Sequence, residues 1–302
     1  MMVNTTGSTL KLIAWQWKFS AMFTVGGVVA VLLHQFGQDW AVLPTVPLAV
    51  VGGAIGIFVS FRTNSCYDRW WEGRKLWGRL INTSRHWCTQ SIGYVGESVA
   101  PHHDAADRLV RRHIVYVHTL RVLLRKQSLA EDPEMARLLG AEARTELASE
   151  SNPTHALLQD QMDDLRKLRR AGVITEFNQS DMDQSIRHLL DIQGGCERIK
   201  KTPFPRGYGF IAGRLVVAYG FLFPFAIVSD LGWITVPMNL LVCLAFALIS
   251  ETGRVLEDPF TMFFNGLPLS AMSTTIERNL RQRLGDTDLP AAPVPASNGV
   301  LM

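Results

Sequence analysis

Four stretches of this chain carry almost no charge: residues 19–36, 42–61, 211–228 and 233–249, among which Arg214 is the single Lys, Arg, Asp or Glu. Each has the length needed to cross a hydrocarbon core of ~30 Å. Inside lipid every backbone N–H and C=O must find a partner within the protein, so such stretches are read as helices. The pattern predicts four membrane-spanning helices in two hairpins, 19–61 and 211–249. Between the hairpins lies a polar and charged region, 62–206. The chain-wide figures, 47% hydrophobic and a net charge of +3 over 302 residues, average over this segregation and hide it.

Lys11 and Lys18 precede the first stretch as basic residues precede a signal peptide. No small-x-small cleavage site follows, and a second apolar stretch comes at once, so the first is read as a retained helix. Orientation follows from the basic residues. The connectors 37–41 and 229–232 have no Lys or Arg, whereas 62–206 holds 23 of the 30. The positive-inside rule places the central region and both termini in the cytoplasm. No basic block with interleaved aromatics suggests nucleic acid. Cys66, Cys88, Cys196 and Cys243 avoid the outward connectors and show no zinc spacing, which argues against a disulfide framework.

The second apolar stretch has an internal pattern. Gly52, Gly56 and Ser60 recur every four residues, a small-residue face suited to close helix packing. Gly53, Ile57 and Phe61 form the neighbouring face, with Ile57 and Phe61 one turn apart at the inner end. Taken alone, these two are ordinary lipid or helix contacts. The chain then reads SFRTNSCYDRWWEGRKLWGR, residues 60–79, in which Tyr67, Trp70, Trp71, Arg74, Trp77, Leu80 and Ile81 keep mostly three- and four-residue steps. That periodicity predicts a helix continuing out of the bilayer. Three tryptophans exceed what an interfacial belt requires, so they are expected also to pack on other cytosolic helices.

The central region reads as all-α. An amphipathic helix is expected over 102–127, where His103 and Asp107 share a face without a third metal ligand. A broken stretch follows over 128–153, then a helix over 154–170 with a mixed-charge face, and a further helix capped by Ser180. Prolines at 203 and 205 re-aim the chain into the third span, where Arg214 is placed to snorkel and Pro224 to kink the helix. The remaining segments are an N-terminal cytosolic piece, 1–18, and a C-terminal helical segment, 250–284, with a helix at 273–284. A Pro/Ala-rich tail, 285–302, is expected to lack fixed structure.

Catalytic signatures are missing. The sequence has no GxxxxGK[ST], HExxH, GxSxG or GxGxxG, and its carboxylate pairs, Asp163–Asp164 and Glu257–Asp258, have no His or nucleophile spaced to cooperate. No enzyme activity and no cofactor are expected. A proton-coupled pump would place ionisable groups in mid-bilayer. Small and apolar spans suit a pore instead, since apolar constrictions gate by dewetting. Four helices of one chain pack solid, so such a pore runs along a symmetry axis between copies.

Four motifs, FRTNSCYDRWWEGRKLWG (61–78), GGCERIKKTPFP (194–205), LEDPF (256–260) and TIERNL (275–280), resemble the bestrophin family in its bacterial branch, over roughly residues 10–284. They single out Arg69, Trp70, Trp71, Glu257, Asp258 and Pro259 as the structural motif. The resemblance implies a homopentameric ion channel in the bacterial inner membrane, its second span lining a neck of three apolar rings. Aligned on Arg69-Trp70-Trp71, the rings fall on Gly53, Ile57 and Phe61. Gly53 departs from the family's bulky residue, and Val50, nearly a turn further out, is the candidate replacement. A second constriction falls on Phe177, or on Ile174 if the loop is shifted by a turn. Animal members bind calcium through acids after an Asn-Pro-Phe segment. EDPFTMFFNGLPLSAM has none after its proline, so no calcium clasp is expected here, and Glu257 and Asp258 are expected to pair with basic residues of the soluble region. Animal relatives pass chloride and other small anions, whereas apolar rings carry no sign, which leaves anion and cation both open. The expected partners are further copies of the chain, the bilayer and small inorganic ions. The alternative reading is a membrane-anchored helical scaffold or sensor without conductance.

Overall fold

The computed structural model describes residues 15–95, 104–263, 265–296 and 299–301, and for Arg206 the backbone alone. The described residues hold ten α-helices and no β-strand: α1 (Trp17–Gln35), α2 (Thr45–Val95), α3 (Ala105–Leu124), α4 (Pro133–Leu138), α5 (Ala141–Ser149), α6 (Pro153–Arg170), α7 (Glu176–Lys201), α8 (Arg206–Leu231), α9 (Thr235–Leu256) and α10 (Leu269–Arg283). They fall into two compact units. The apolar unit comprises the described residues up to Trp70 and Pro203–Asp258, and the polar unit those of Trp71–Thr202 and from Pro259 onward.

Three stretches in the apolar unit are long and apolar enough to cross a membrane: α1, a second that includes the start of α2, and Gly207–Leu256. The third is two helices, α8 and α9, parted at Gly232, whose φ of +51° favours glycine. Pro47 and Pro237 stand in first turns, where a helix leaves the N–H unpaired anyway. Pro224 does not: α8 runs through it, so the Gly220 carbonyl one turn back loses its helical donor. The side chain of Asn239, fully buried on α9, supplies the replacement. Its Nδ2 donates to the Gly220 carbonyl at 3.3 Å and to the Phe23 carbonyl of α1 at 2.8 Å. Cys243 Sγ donates to the Asn239 Oδ1 at 3.2 Å. Asn239 therefore ties three helices together at the point where proline breaks the ladder. Phe23, Ile55, Val59, Val216, Tyr219 and Ala247 form the apolar core of this unit.

In the polar unit α3 is buried nearly all round, with Leu109, Ile114, Tyr116, Val117 and Leu120 at 1% exposure or less. It packs against α6 and α10. Asn152 caps α6 by accepting from the His155 N–H, with Pro153 in the first turn. The start of α7 corrects the expected cap. Thr175, not Ser180, accepts from the Asn178 N–H at 3.1 Å, and the helix begins a turn earlier. Ser180 fitted a cap pattern, but Glu176–Asn178 already complete a first turn with an acid at its positive end. The broken stretch carries two short helices, α4 and α5. The tail also departs from expectation over its described residues. Asp286 accepts from both Arg111 and Arg281, and the Pro290 carbonyl accepts from Arg278. Residues 1–14 and His103 of the weighed His103–Asp107 pair lie outside the described residues.

Two predictions follow from these contacts. Asn239→Leu orphans the Gly220 carbonyl and lowers thermal stability in detergent by about 1–3 kcal/mol. In a Pro224→Ala background the restored N–H reaches Gly220 again, so the same substitution costs measurably less in a double-mutant cycle.

The second concerns acid. Burial pushes the His113 imidazole down to about 3, and its Nε2 meets the Ser84 hydroxyl at 2.8 Å. Burial alone would raise the Glu277 carboxyl, yet bonds from His118 and Arg137 outweigh it and hold the group at about 2. Both values lie below those of the unfolded chain, so at acid pH the unfolded state binds more protons and stability falls as pH falls. The His113 contribution is lost from about 6.5 down to about 3 and the Glu277 contribution from about 4.5 down to about 2, each at roughly 1.4 kcal/mol per pH unit per proton. His113→Gln flattens the melting-temperature profile between pH 6.5 and 4.5, makes it shallower from 4.5 to about 3, where Glu277 alone then contributes, and leaves it unchanged below about 3.

Candidate functional site

α2 is 51 residues long and begins as the apolar stretch that carried the sequence-level site. Its two faces differ sharply. On the inward face a Cβ at Gly52 would meet the Tyr219 hydroxyl at 2.5 Å, and one at Gly56 would meet the Phe246 ring at 3.3 Å. Ile55 and Val59, at 4% and 1% exposure, complete that face. Ser60 does not lie on it. Each four-residue step advances a helix 400°, so a row at that spacing drifts about 40° per step. By its third member the row has left the interface, and Ser60 is exposed within the chain. The inward face continues instead through Arg62, Cys66 and Gly73.

The other face is open. Ile57 is 61% exposed, Phe61 66%, and Val50 68%, while among the described residues nothing lies within 4 Å of a Cβ built on Gly53. Thus one side of the helix is spent on its own bundle, and Gly53, Ile57, Phe61 and Val50 form a row left open among the described residues. Ile174 is different. It is 3% exposed, packed inside the polar unit, so it presents no side chain to a passage. Phe177, in the first turn of α7, is 86% exposed. The shift of one turn that separated the two alternatives is the difference between the buried approach to α7 and its outward first turn.

The structural motif divides between the two units. In the apolar unit the guanidinium of Arg62, 4% exposed, donates to the Ser250 carbonyl at 3.1 Å and stands 3.5 Å from the Glu257 carboxylate. Arg69 Nε donates to the Glu257 carbonyl at 2.8 Å. A Cβ on Gly209 would lie 2.9 Å from Arg62 Nη2, so glycine there keeps room for the guanidinium. In the polar unit Pro259 and the fully buried Phe260 pack against Gly73, whose Cβ would lie 3.1 and 3.3 Å from them. Trp77 is fully buried there, whereas Trp70 is half-buried and Trp71 46% exposed. Arg214 stacks over the Phe210 ring at 5.0 Å, the amphipathic placement expected of an arginine near a span end. Sequence reasoning passed over Arg62 and Asn239. The signal for Arg62 was available, since Ile55, Val59, Arg62, Cys66 and Arg69 keep a three- and four-residue rhythm.

Close approach at one glycine and open space at the next gives a sharp contrast. Gly52→Ala collides with Tyr219 and costs about 1–3 kcal/mol of stability, read as a lower melting midpoint in detergent. Gly53→Ala leaves it within error.

Residues 1–282 match the family model described as bacterial/fungal bestrophin protein. The chain is 32% identical over 273 residues to the voltage-dependent anion channel-forming protein YneE of Salmonella typhi, an alignment covering 90% of this chain and 88% of that one. It is 33% identical over 266 residues to a voltage-dependent anion channel-forming protein of Ralstonia nicotianae, RSc3414, covering 87% and 85%. Among solved structures, a bacterial bestrophin homolog from Klebsiella pneumoniae superposes with a TM-score of 0.83 at 32% identity, covering 89% of this chain and 98% of that one.

Proposed function

The chain belongs to the bacterial and fungal bestrophin family, and on that footing we propose that it is a passive channel for small monovalent ions, five copies enclosing one pore in the bacterial inner membrane. The observation that carries the proposal is the two-faced start of α2. Its small residues are used up against Tyr219 and Phe246, while Ile57 and Phe61 stay exposed in one row. Around a shared axis, five such rows make stacked apolar rings, a constriction able to exclude water. α1, the start of α2, α8 and α9 supply four spans, with both termini in the cytoplasm. Phe177 is the residue for a second, cytosolic constriction. The relatives' names assign them anions. For this chain the neck itself is neutral, so the preference between anions and cations is set by charges outside it.

The scaffold reading leaves the same row facing lipid or a partner without conduction. Purified protein in planar bilayers separates the two. The channel reading expects single-channel currents in KCl, a severalfold rise in conductance for Phe61→Ala and Ile57→Ala, and a five-copy mass in detergent that both variants retain. A monomeric mass, or currents indifferent to both substitutions, would sink it.

A further inference from the structure

The exposed row of α2 does not end at Phe61. At 100° per residue, and taking Ile57 as zero, Val50 stands at about +20°, Phe61 at about +40°, Asn64 at about −20° and Asp68 at about +20°. Asn64 and Asp68 are both exposed. Arg62, the one nearer charge, points to the opposite face and is 4% exposed against Ser250 and Glu257. Asp68 is therefore the first charged side chain on the row beyond Phe61, seven residues and about 10 Å further along the helix. Among the described residues the Asp68 side chain takes part in no ion pair or hydrogen bond. Its charge is left unneutralised, in contrast to Glu257, which has Arg62 beside it.

We propose that Asp68 is a selectivity-determining residue, forming a ring of carboxylates at the inner mouth of the neck that favours cations over anions. The proposal rests on the pore reading of the α2 row. Five negative charges around one axis raise the local cation concentration and repel anions. The separation from Phe61 is close to the Debye length of about 8 Å at physiological ionic strength, so the field of the ring reaches the constriction. The neck fixes how much passes, and Asp68 biases the sign. Relative to a channel of this fold with a neutral group at the position, anion permeation is reduced.

Reversal potentials across a KCl gradient test this on the full-length protein in bilayers. Asp68→Asn is expected to lower the K+/Cl− permeability ratio severalfold, Asp68→Lys to lower it further, and Asp68→Glu to keep the wild-type value. The differences shrink as the salt on both sides is raised. Because the side chain is exposed, the variants should assemble, which their detergent mass verifies. Wild-type reversal potentials in both conducting Asp68→Asn and Asp68→Lys overturn the selectivity role and leave the pore standing. An absence of current in the wild-type protein overturns both.

Discussion

The contact between Gly52 and Tyr219 decides what the rest of α2 can do. In lipid, helices gain nothing from excluding water between them, so association rests on backbone proximity and buried hydrogen bonds. Gly52 brings the α2 backbone against the Tyr219 hydroxyl, and Gly56 brings it against the Phe246 ring. Once that face is committed, Gly53, Ile57 and Phe61 must look away from the bundle, because they lie round the cylinder from it. The open row follows from packing on the closed one. A bulkier residue at Gly52 would turn or shift the helix and re-aim every side chain on the row at once.

Hydrogen bonding supplies what apolar contact cannot. Pro224 removes one donor from α8, and an orphaned carbonyl in hydrocarbon costs several kcal/mol in order of magnitude. Asn239 answers it from α9 and reaches α1 with its other amide hydrogen. The polar unit uses the same logic with charges. Glu277 is fully buried, yet it accepts from His118 at 3.0 Å and Arg137 at 2.7 Å, and Arg281 stands 3.3 Å away. A buried carboxylate with this many donors is stable as an ion. Removal of one partner exposes the cost of burying the others. The TIERNL motif is thus a structural joint of the polar unit.

Much of the architecture was legible because hydropathy, proline position and helical rhythm are local properties. The apolar stretches, the all-α class and the continuation of α2 beyond Phe61 came from runs of ten or more residues that agree with one another. Asn239 was not legible. A single Asn in an apolar stretch shifts the mean hydropathy little, and its role depends on Gly220 and Phe23, distant in sequence. Ser60 was misassigned because a four-residue repeat is not the helical period, so the error grows with each member. Phe177 and Ile174 could not be separated by counting, since three residues separate a buried loop position from an outward first turn. Asp286 was grouped with the tail by composition, although its two arginine partners lie on α3 and α10.

The glycine at 53 has a geometric consequence for the proposed pore. With a bulky side chain there, three apolar rings would stand about 6 Å apart and close a neck roughly 12 Å long. With Gly53, the apolar side chains beside it on the row are Ile57 on one side and Val50, seven residues from Ile57, on the other. In the proposed pore a single turn between Ile57 and Phe61 would give about 6 Å of tight apolar wall, and Val50 would add a separate collar some 10 Å beyond Ile57. Between them the proposed passage would widen at Gly53, where a built Cβ meets no described atom within 4 Å. Dewetting depends on an uninterrupted apolar length as well as on radius, so two collars with a pocket between them hold water out less effectively than one continuous neck. In the proposed pore, glycine at 53 would therefore loosen the barrier formed by Ile57 and Phe61 and give charges at the mouths a larger share in deciding which ions cross.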